Sequence, residues 1–267
     1  MKSLKALMDL QGRVALVTGG AGYIGSTLGE ALAELGAGIV VVDLQPGPCM
    51  EVAKRIHETY KVRTLPLVLD LSDEQALRSV PNKISDNFGR LDILINCAAL
   101  AGTSELKGWA GPFLEQSGEA WRLALEVNLT VPFLLIQVCT EALAASGYGS
   151  VINIASIYGL VGPNLRLYEG TPMGNPAAYA ASKGGLLQLT RWLATVLAPK
   201  IRVNAISPGG IWRNQPEVFQ KRYLEGTPLG RMATEEDLKG AVAYLASDLS
   251  AYVTGQNLVV DGGWTVW

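Results

Sequence analysis

Short runs of β-branched and apolar residues alternate with longer helical patterns along the whole of this chain, and that alternation limits the folds open to it. Residues 14–18, 39–43, 63–70, 93–96, 151–156, 202–207 and 258–260 read as strands. Residues 24–35, 49–60, 74–88, 119–145, 177–197 and 235–246 read as helices between them. Strands that are apolar almost throughout, joined by helices, imply a parallel sheet covered on both faces, with right-handed crossovers. The expected fold is therefore α/β, a doubly wound parallel sheet. No linker, repeat or low-complexity tract divides the 267 residues, so one domain, 1–267, is expected. Two long segments, 160–176 and 209–232, read as irregular. Both follow the carboxyl ends of strands, where open α/β sheets place their ligands.

The charge balance removes several functional classes. There are 22 basic and 24 acidic residues, a net charge of −2, and no basic block, so nothing draws the chain to nucleic acid. Cys49, Cys97 and Cys139 are an odd number, widely spaced and without metal-ligand spacing, which suits thiols in a reducing compartment. His57 is the only histidine, so no metal site and no histidine-based triad is expected. The first residues carry Lys5 and Asp9 and no small-residue cleavage site, and are not read as a signal peptide. The apolar run 127–138 is short for a bilayer and holds Asn128 and Pro132. A cytoplasmic protein without membrane partners is expected.

After the first strand comes Thr18-Gly-Gly-Ala-Gly-Tyr-Ile-Gly25, with Gly19, Gly22 and Gly25 at three-residue spacing. Such a turn lets backbone approach a diphosphate closely, while Tyr23, Ile24 and Gly25 open a helix whose unsatisfied N–H groups attract anions. The second strand ends at Asp43, 18 residues beyond Gly25. A carboxylate there accepts hydrogen bonds from an adenosine ribose and repels a 2′-phosphate, favouring NAD over NADP. Asp70, followed by Leu71, ends the third strand; it either meets the adenine edge or belongs to a helix start at Asp70-Leu-Ser-Asp73.

Tyr179 and Lys183 lie four residues apart, one helical turn and so on one face. A cation beside a phenol favours the phenolate, so the tyrosine is expected to titrate below about 10. Taken in order with Asn96-Cys-Ala-Ala99, Asn128, Ser156 and Ser207-Pro-Gly-Gly-Ile211, these motifs make the chain similar to the single-domain short-chain dehydrogenases/reductases. The resemblance runs from about Leu10 to Trp264. Departures accompany it: the glycine spacing is that of the larger, extended branch, Ser156 and Tyr179 are 23 residues apart, and Arg213 stands where many relatives have threonine.

The resemblance implies a Rossmann-like sheet of seven strands in the order 3-2-1-4-5-6-7. It implies hydride transfer between a nicotinamide and a secondary alcohol or ketone, with Tyr179 as acid/base and Lys183 acting on its proton and on the nicotinamide ribose. Ser156 would bond the substrate oxygen and Asn128 would hold a proton-relaying water. Asn96, Ala98, Pro208, Gly209 and Ile211 join the turn residues around the cofactor. Arg166, Tyr168 and Trp212, in the two irregular segments, are expected to touch substrate. Aromatic faces beside polar forks suit a polyhydroxylated or anionic ligand, and the insertion resembles those of relatives in bacterial surface-sugar synthesis. A sugar or sugar-derived alcohol is the expected substrate. The alternatives are a sugar epimerase or dehydratase using NAD without net redox change, and a 3-oxoacyl-type reductase. The helices 119–145 and 177–197 are apolar over much of their circumference and need cover on more than one side. In the family the corresponding helices form a subunit interface, and Val260-Asp-Gly-Gly263 resembles the C-terminal segment of tetrameric members, so the resemblance implies a homotetramer, or failing that a homodimer.

Overall fold

The computed structural model describes residues 1–101 and 106–267. The strands are β1 (Val14–Thr18), β2 (Gly38–Asp43), β3 (Thr64–Val68), β4 (Ile93–Asn96), β5 (Gly149–Ile154), β6 (Ile201–Pro208) and β7 (Asn257–Val260). They form one sheet in the order β3-β2-β1-β4-β5-β6-β7, every pair parallel. β1, β4 and β5 are buried at every position, as strands covered on both faces must be. Pro66 lies in β3, an edge strand, where its missing N–H costs no ladder bond on the open side.

One core layer joins that sheet to α2 (Tyr23–Glu34), α3 (Pro46–Tyr60) and α9 (Lys239–Ala246), through Leu28, Leu32, Ile39, Ile56 and Val242. The other joins its opposite face to α4 (Glu74–Phe88), α6 (Val131–Ala145) and α7 (Ala177–Leu197), through Leu16, Leu77, Leu135, Leu143 and Leu193. Asp73 begins α4 by accepting from the N–H groups of Gln75 and Ala76. Asp70 is thus released from helix capping. A short α1 (Leu4–Met8) precedes the sheet.

Three expectations need correction. The helix read over 119–145 is α5 (Gly118–Leu125), a π-helical turn (Glu126–Thr130) and α6 in succession. Together they make 28 residues, long and apolar enough by composition to cross a bilayer, which the shorter run 127–138 did not reveal. Here this helix packs on α4 and α7 and lies along the sheet, as a core helix does. The segment 209–232 is not irregular throughout, because it contains α8 (Glu217–Glu225). Its Phe219 and Tyr223 are buried at i, i+4 spacing. The helix read over 235–246 is a 3₁₀ turn, Glu235–Leu238, followed by α9. The other elements match their expected bounds or differ from them by one to three residues at an end, where backbone pairing rather than side-chain pattern sets the limit.

Candidate active site

A cleft of about 710 Å³ opens at the carboxyl ends of β1, β2, β4, β5 and β6. At one end lies the glycine turn. Gly19 has φ +61°, and a Cβ there would stand 2.9 Å from Ala98 Cα. A Cβ on Gly25 would stand 2.2 Å from the Gly19 carbonyl oxygen, so only hydrogen allows α2 to start this close to the turn. No side chain caps α2 at Gly22, and its first-turn residues Tyr23, Ile24 and Gly25 line the cleft. The helix therefore presents uncapped N–H groups where an anion can meet them.

Asp43 lines the same end. Its carboxylate accepts from the N–H groups of Ala21 (3.0 Å) and Leu44 (2.8 Å), which ties the glycine turn to the end of β2. A carboxylate has about four lone-pair positions, so acceptor capacity is left for a ribose hydroxyl. Asp70 is exposed on the cleft wall beside Leu71 and accepts from Ser72 N–H at 2.8 Å. Thr18 was not singled out from sequence. Its hydroxyl accepts from the N–H groups of Cys97 and Ala98, so the loop after β4 hangs from the end of β1.

At the other end β5 delivers Ser156, and α7 delivers Tyr179 and Lys183. Lys183 is buried, and its ammonium donates to the Ile154 carbonyl at 2.7 Å. The nitrogen lies 5.7 Å from the centre of the Tyr179 ring. Burial lowers the Lys183 pKa to about 8. Burial also raises that of Tyr179, against a smaller downward pull from the Ser156 hydroxyl. The phenol therefore lies above its ordinary value in the protein alone, not below it as expected, because burial penalises both charged forms. Burial pushes the Cys97 thiol, also on the cleft wall, up to about 12, so it is protonated and no nucleophile near neutral pH.

Of the remaining expected site residues, Ala98, Pro208, Gly209 and Ile211 line the cleft. Asn96 does not; it is buried beneath, donating to Asn153 Oδ1 at 2.8 Å across β4 and β5. Asn128 sits in the π-helical turn, also off the cleft wall. Its amide donates to the Leu100 carbonyl and to Ser182 Oγ, and its oxygen accepts from Leu100 N–H. It locks the Leu100 loop against α7, one residue from Lys183.

Arg166, Tyr168 and Trp212 do not line the cleft either. The insertion folds as a 3₁₀ turn, Leu165–Tyr168, over α8. Leu167 packs with Phe219, Tyr223 and Met232, and the Arg222 guanidinium donates to the carbonyls of Arg166 and Glu169. Tyr168 shares a 2.8 Å hydrogen bond with the Tyr158 hydroxyl, and Trp264 stacks on Tyr223 with ring centres 5.7 Å apart. Leu100, Leu123 and Val127 take the wall positions that the expected polar groups leave. The i, i+4 spacing of Leu123 and Val127 was the available signal, hidden in a helix apolar on most sides.

The comparisons agree with this fold. The family model described as Enoyl-(Acyl carrier protein) reductase matches residues 19–265. Cis-4-hydroxycyclohexanecarboxylate dehydrogenase of Sinomonas cyclohexanicum is 35% identical over 95% of this chain and 96% of its own. A gluconate 5-dehydrogenase from Burkholderia cenocepacia, solved with NADP and tartrate, superposes with a TM-score of 0.88 at 29% identity, covering 99% of this chain and 100% of its own. A short-chain dehydrogenase from Leptospira borgpetersenii with bound NAD+ gives 0.84 at 34% identity, covering 99% and 96%. This chain belongs to the short-chain dehydrogenase/reductase family of oxidoreductases.

Proposed function

We propose that the protein interconverts a secondary alcohol and its ketone with NAD as coenzyme. The observation that carries this reading is the joint placement of the uncapped α2 N-terminus, Asp43, Ser156, Tyr179 and Lys183 on one cleft. The residues fit a dinucleotide: the glycine turn leaves room for a diphosphate that a Cβ would fill, and Asp43 keeps acceptor capacity at the β2 end. Gly19, Gly22, Tyr23, Ile24 and Gly25 hold the diphosphate, Asp43 the ribose, Asp70 and Leu71 the adenine side, and Pro208, Gly209 and Ile211 the nicotinamide side.

When bound, the nicotinamide supplies or takes up the hydride. The protein handles the proton. Tyr179 Oη takes the alcohol proton during oxidation and returns it during reduction, while the Ser156 hydroxyl orients the substrate oxygen. Lys183 stabilises the phenolate once Tyr179 has lost its proton. Asn128 acts on these groups through Ser182 and the Leu100 loop rather than by contact.

The substrate we place among hydroxylated rings or chains, sugar acids and sugar-derived alcohols included. Two relatives carry names of that kind, a hydroxycyclohexanecarboxylate and a gluconate dehydrogenase. The apolar wall of Leu100, Leu123 and Val127 favours the carbon face of such a molecule. Reduced-nicotinamide absorbance, followed with NAD and NADP separately against polyols, sugar acids, cyclic hydroxy acids and 3-oxoacyl thioesters, tests both choices. Turnover confined to the thioesters, or NADP preferred over NAD, sinks this reading.

The assembly we propose is a tetramer, with a dimer as its smaller form. Trp121 and Phe133, on α5 and α6, and Trp192 and Val196, on α7, are exposed apolar residues that a second subunit would cover. Light scattering of the purified protein decides this, and a monomer at micromolar concentration defeats it.

A further inference from the structure

We infer that Arg213 is a diphosphate-binding residue that clamps the loop after β6 onto the glycine turn; the inference rests on the dinucleotide reading above. The described lining of the cleft holds two carboxylates, Asp43 and Asp70, and two cations, Lys183 and Arg213. Lys183 is buried at the catalytic end and bonded to the Ile154 carbonyl. The positive charge at the glycine-turn end therefore comes from Arg213.

Its position there is specific. The guanidinium carbon lies 4.3 Å from the centre of the Tyr23 ring, and Tyr23 is the first residue of α2. A cation is thus stacked at the helix start where the uncapped N–H groups open on the cleft. Glu235 holds the guanidinium from behind through an ion pair. The backbone is held as well: Arg213 N–H donates to Gln215 Oε1 at 2.7 Å, and Gln215 donates to the Ile211 carbonyl at 2.8 Å. The side chain is one-quarter exposed, so it can reach an anion in the cleft without leaving the Tyr23 face.

A dinucleotide's two phosphates bring two negative charges to this end, and a planar guanidinium answers them with paired donors. Asp43 and Asp70 do not. Arg213 would in this way give the chain a charge-assisted grip in a place where the loop otherwise offers only neutral groups, and would hold the β6–α8 loop against the coenzyme.

Calorimetric titration of the full-length protein with NADH, ADP-ribose and AMP tests the assignment. ADP-ribose has the diphosphate without the nicotinamide, and AMP has neither the second phosphate nor the nicotinamide. Arg213→Ala is expected to weaken ADP-ribose and NADH by about tenfold or more, with AMP within about twofold. Arg213→Lys keeps the charge but not the fork and should fall between the two. Tyr23→Leu keeps the charge and loses the stack, and should cost less than Arg213→Ala. Added salt should weaken ADP-ribose binding to the wild type more than to Arg213→Ala.

Unchanged ADP-ribose affinity in Arg213→Ala overturns the inference. So does an equal loss on AMP, which marks general damage to the site. A loss seen with NADH and not with ADP-ribose also overturns it, by moving Arg213 to the nicotinamide or the substrate. Wild-type protein that binds none of the three nucleotides refutes the dinucleotide reading itself.

Discussion

Around Gly19, Gly25 and Asp43 the cleft wall is mostly backbone, held by strand ends and by hydrogen bonds from the turn to one carboxylate. Around the 3₁₀ turn Leu165–Tyr168 the neighbouring region is side-chain packing: Leu167, Phe219, Tyr223, Met232 and Trp264. The first region offers uncapped N–H groups and space without Cβ atoms, which suit an anionic group of fixed shape. The second is a packed layer beside the cleft, and none of those five side chains lines it. Backbone geometry and glycine shape the first, side-chain complementarity the second.

The largest expected effect probes the junction of the two regions. Tyr179→Phe should lower turnover by about 10² to 10⁴-fold while leaving NADH affinity within about twofold, as read by stopped-flow absorbance and fluorescence titration. Retained activity would remove the proton carrier. Leu167→Ala, deep in the side-chain region, should destabilise the protein by about 2–5 kcal/mol in denaturant unfolding, with NADH affinity of the folded protein unchanged. If coenzyme affinity falls with it, the two regions are one unit.

Asp43→Ala should weaken NADH by about tenfold and favour NADPH relative to wild type. The substrate KM should stay as it was. Equal losses on both coenzymes would show that Asp43 serves only to tie Ala21 and Leu44 in place.

A pH experiment gives the smallest signal. The native Lys183 has its pKa lowered to about 8, below the usual 10.5. Between those values the unfolded chain binds more protons than the native one, so this group's contribution to stability rises as pH rises through that window. Wild-type melting temperature should therefore gain on that of Lys183→Met from pH 8 to pH 10. The raised Tyr179 pKa sets the direction for activity: kcat/KM for alcohol oxidation should climb with pH, since the base form is the one that accepts the proton. A flat profile would show that another group, or a different step, controls the rate.

Reading the residues in order led furthest where function requires one residue type. Gly25 admits no Cβ, Tyr179 and Lys183 must share a helix face, and Asp43 must end a strand. Their places in the chain were sufficient to find the cleft. For Asn96 and Asn128 the sequence is less informative, because an amide's spacing does not tell whether it faces a ligand or a neighbouring segment. Here Asn153, Leu100 and Ser182 claim them. The insertion offers Arg166 and Tyr168, an aromatic face beside a polar fork, and its composition alone suits a ligand wall. Its direction depends on Leu167 finding Phe219 and Tyr223, some 50 residues onward, in a helix whose pattern was too short to read.

What the chain's own order determined, then, was the alternation of strands and helices, hence a parallel sheet, and the chemical groups at its carboxyl edge, since these follow from local periodicity and from residues with no substitute; the order of the strands follows from the family resemblance. The tertiary structure decided the burial that raises the Tyr179 pKa and lowers that of Lys183, the packing of the Leu165–Tyr168 turn over α8, and the stacking of Arg213 on Tyr23. Each of these depends on burial or on contacts between distant segments. Desolvation and long-range packing are sums over neighbours that no local window of sequence contains.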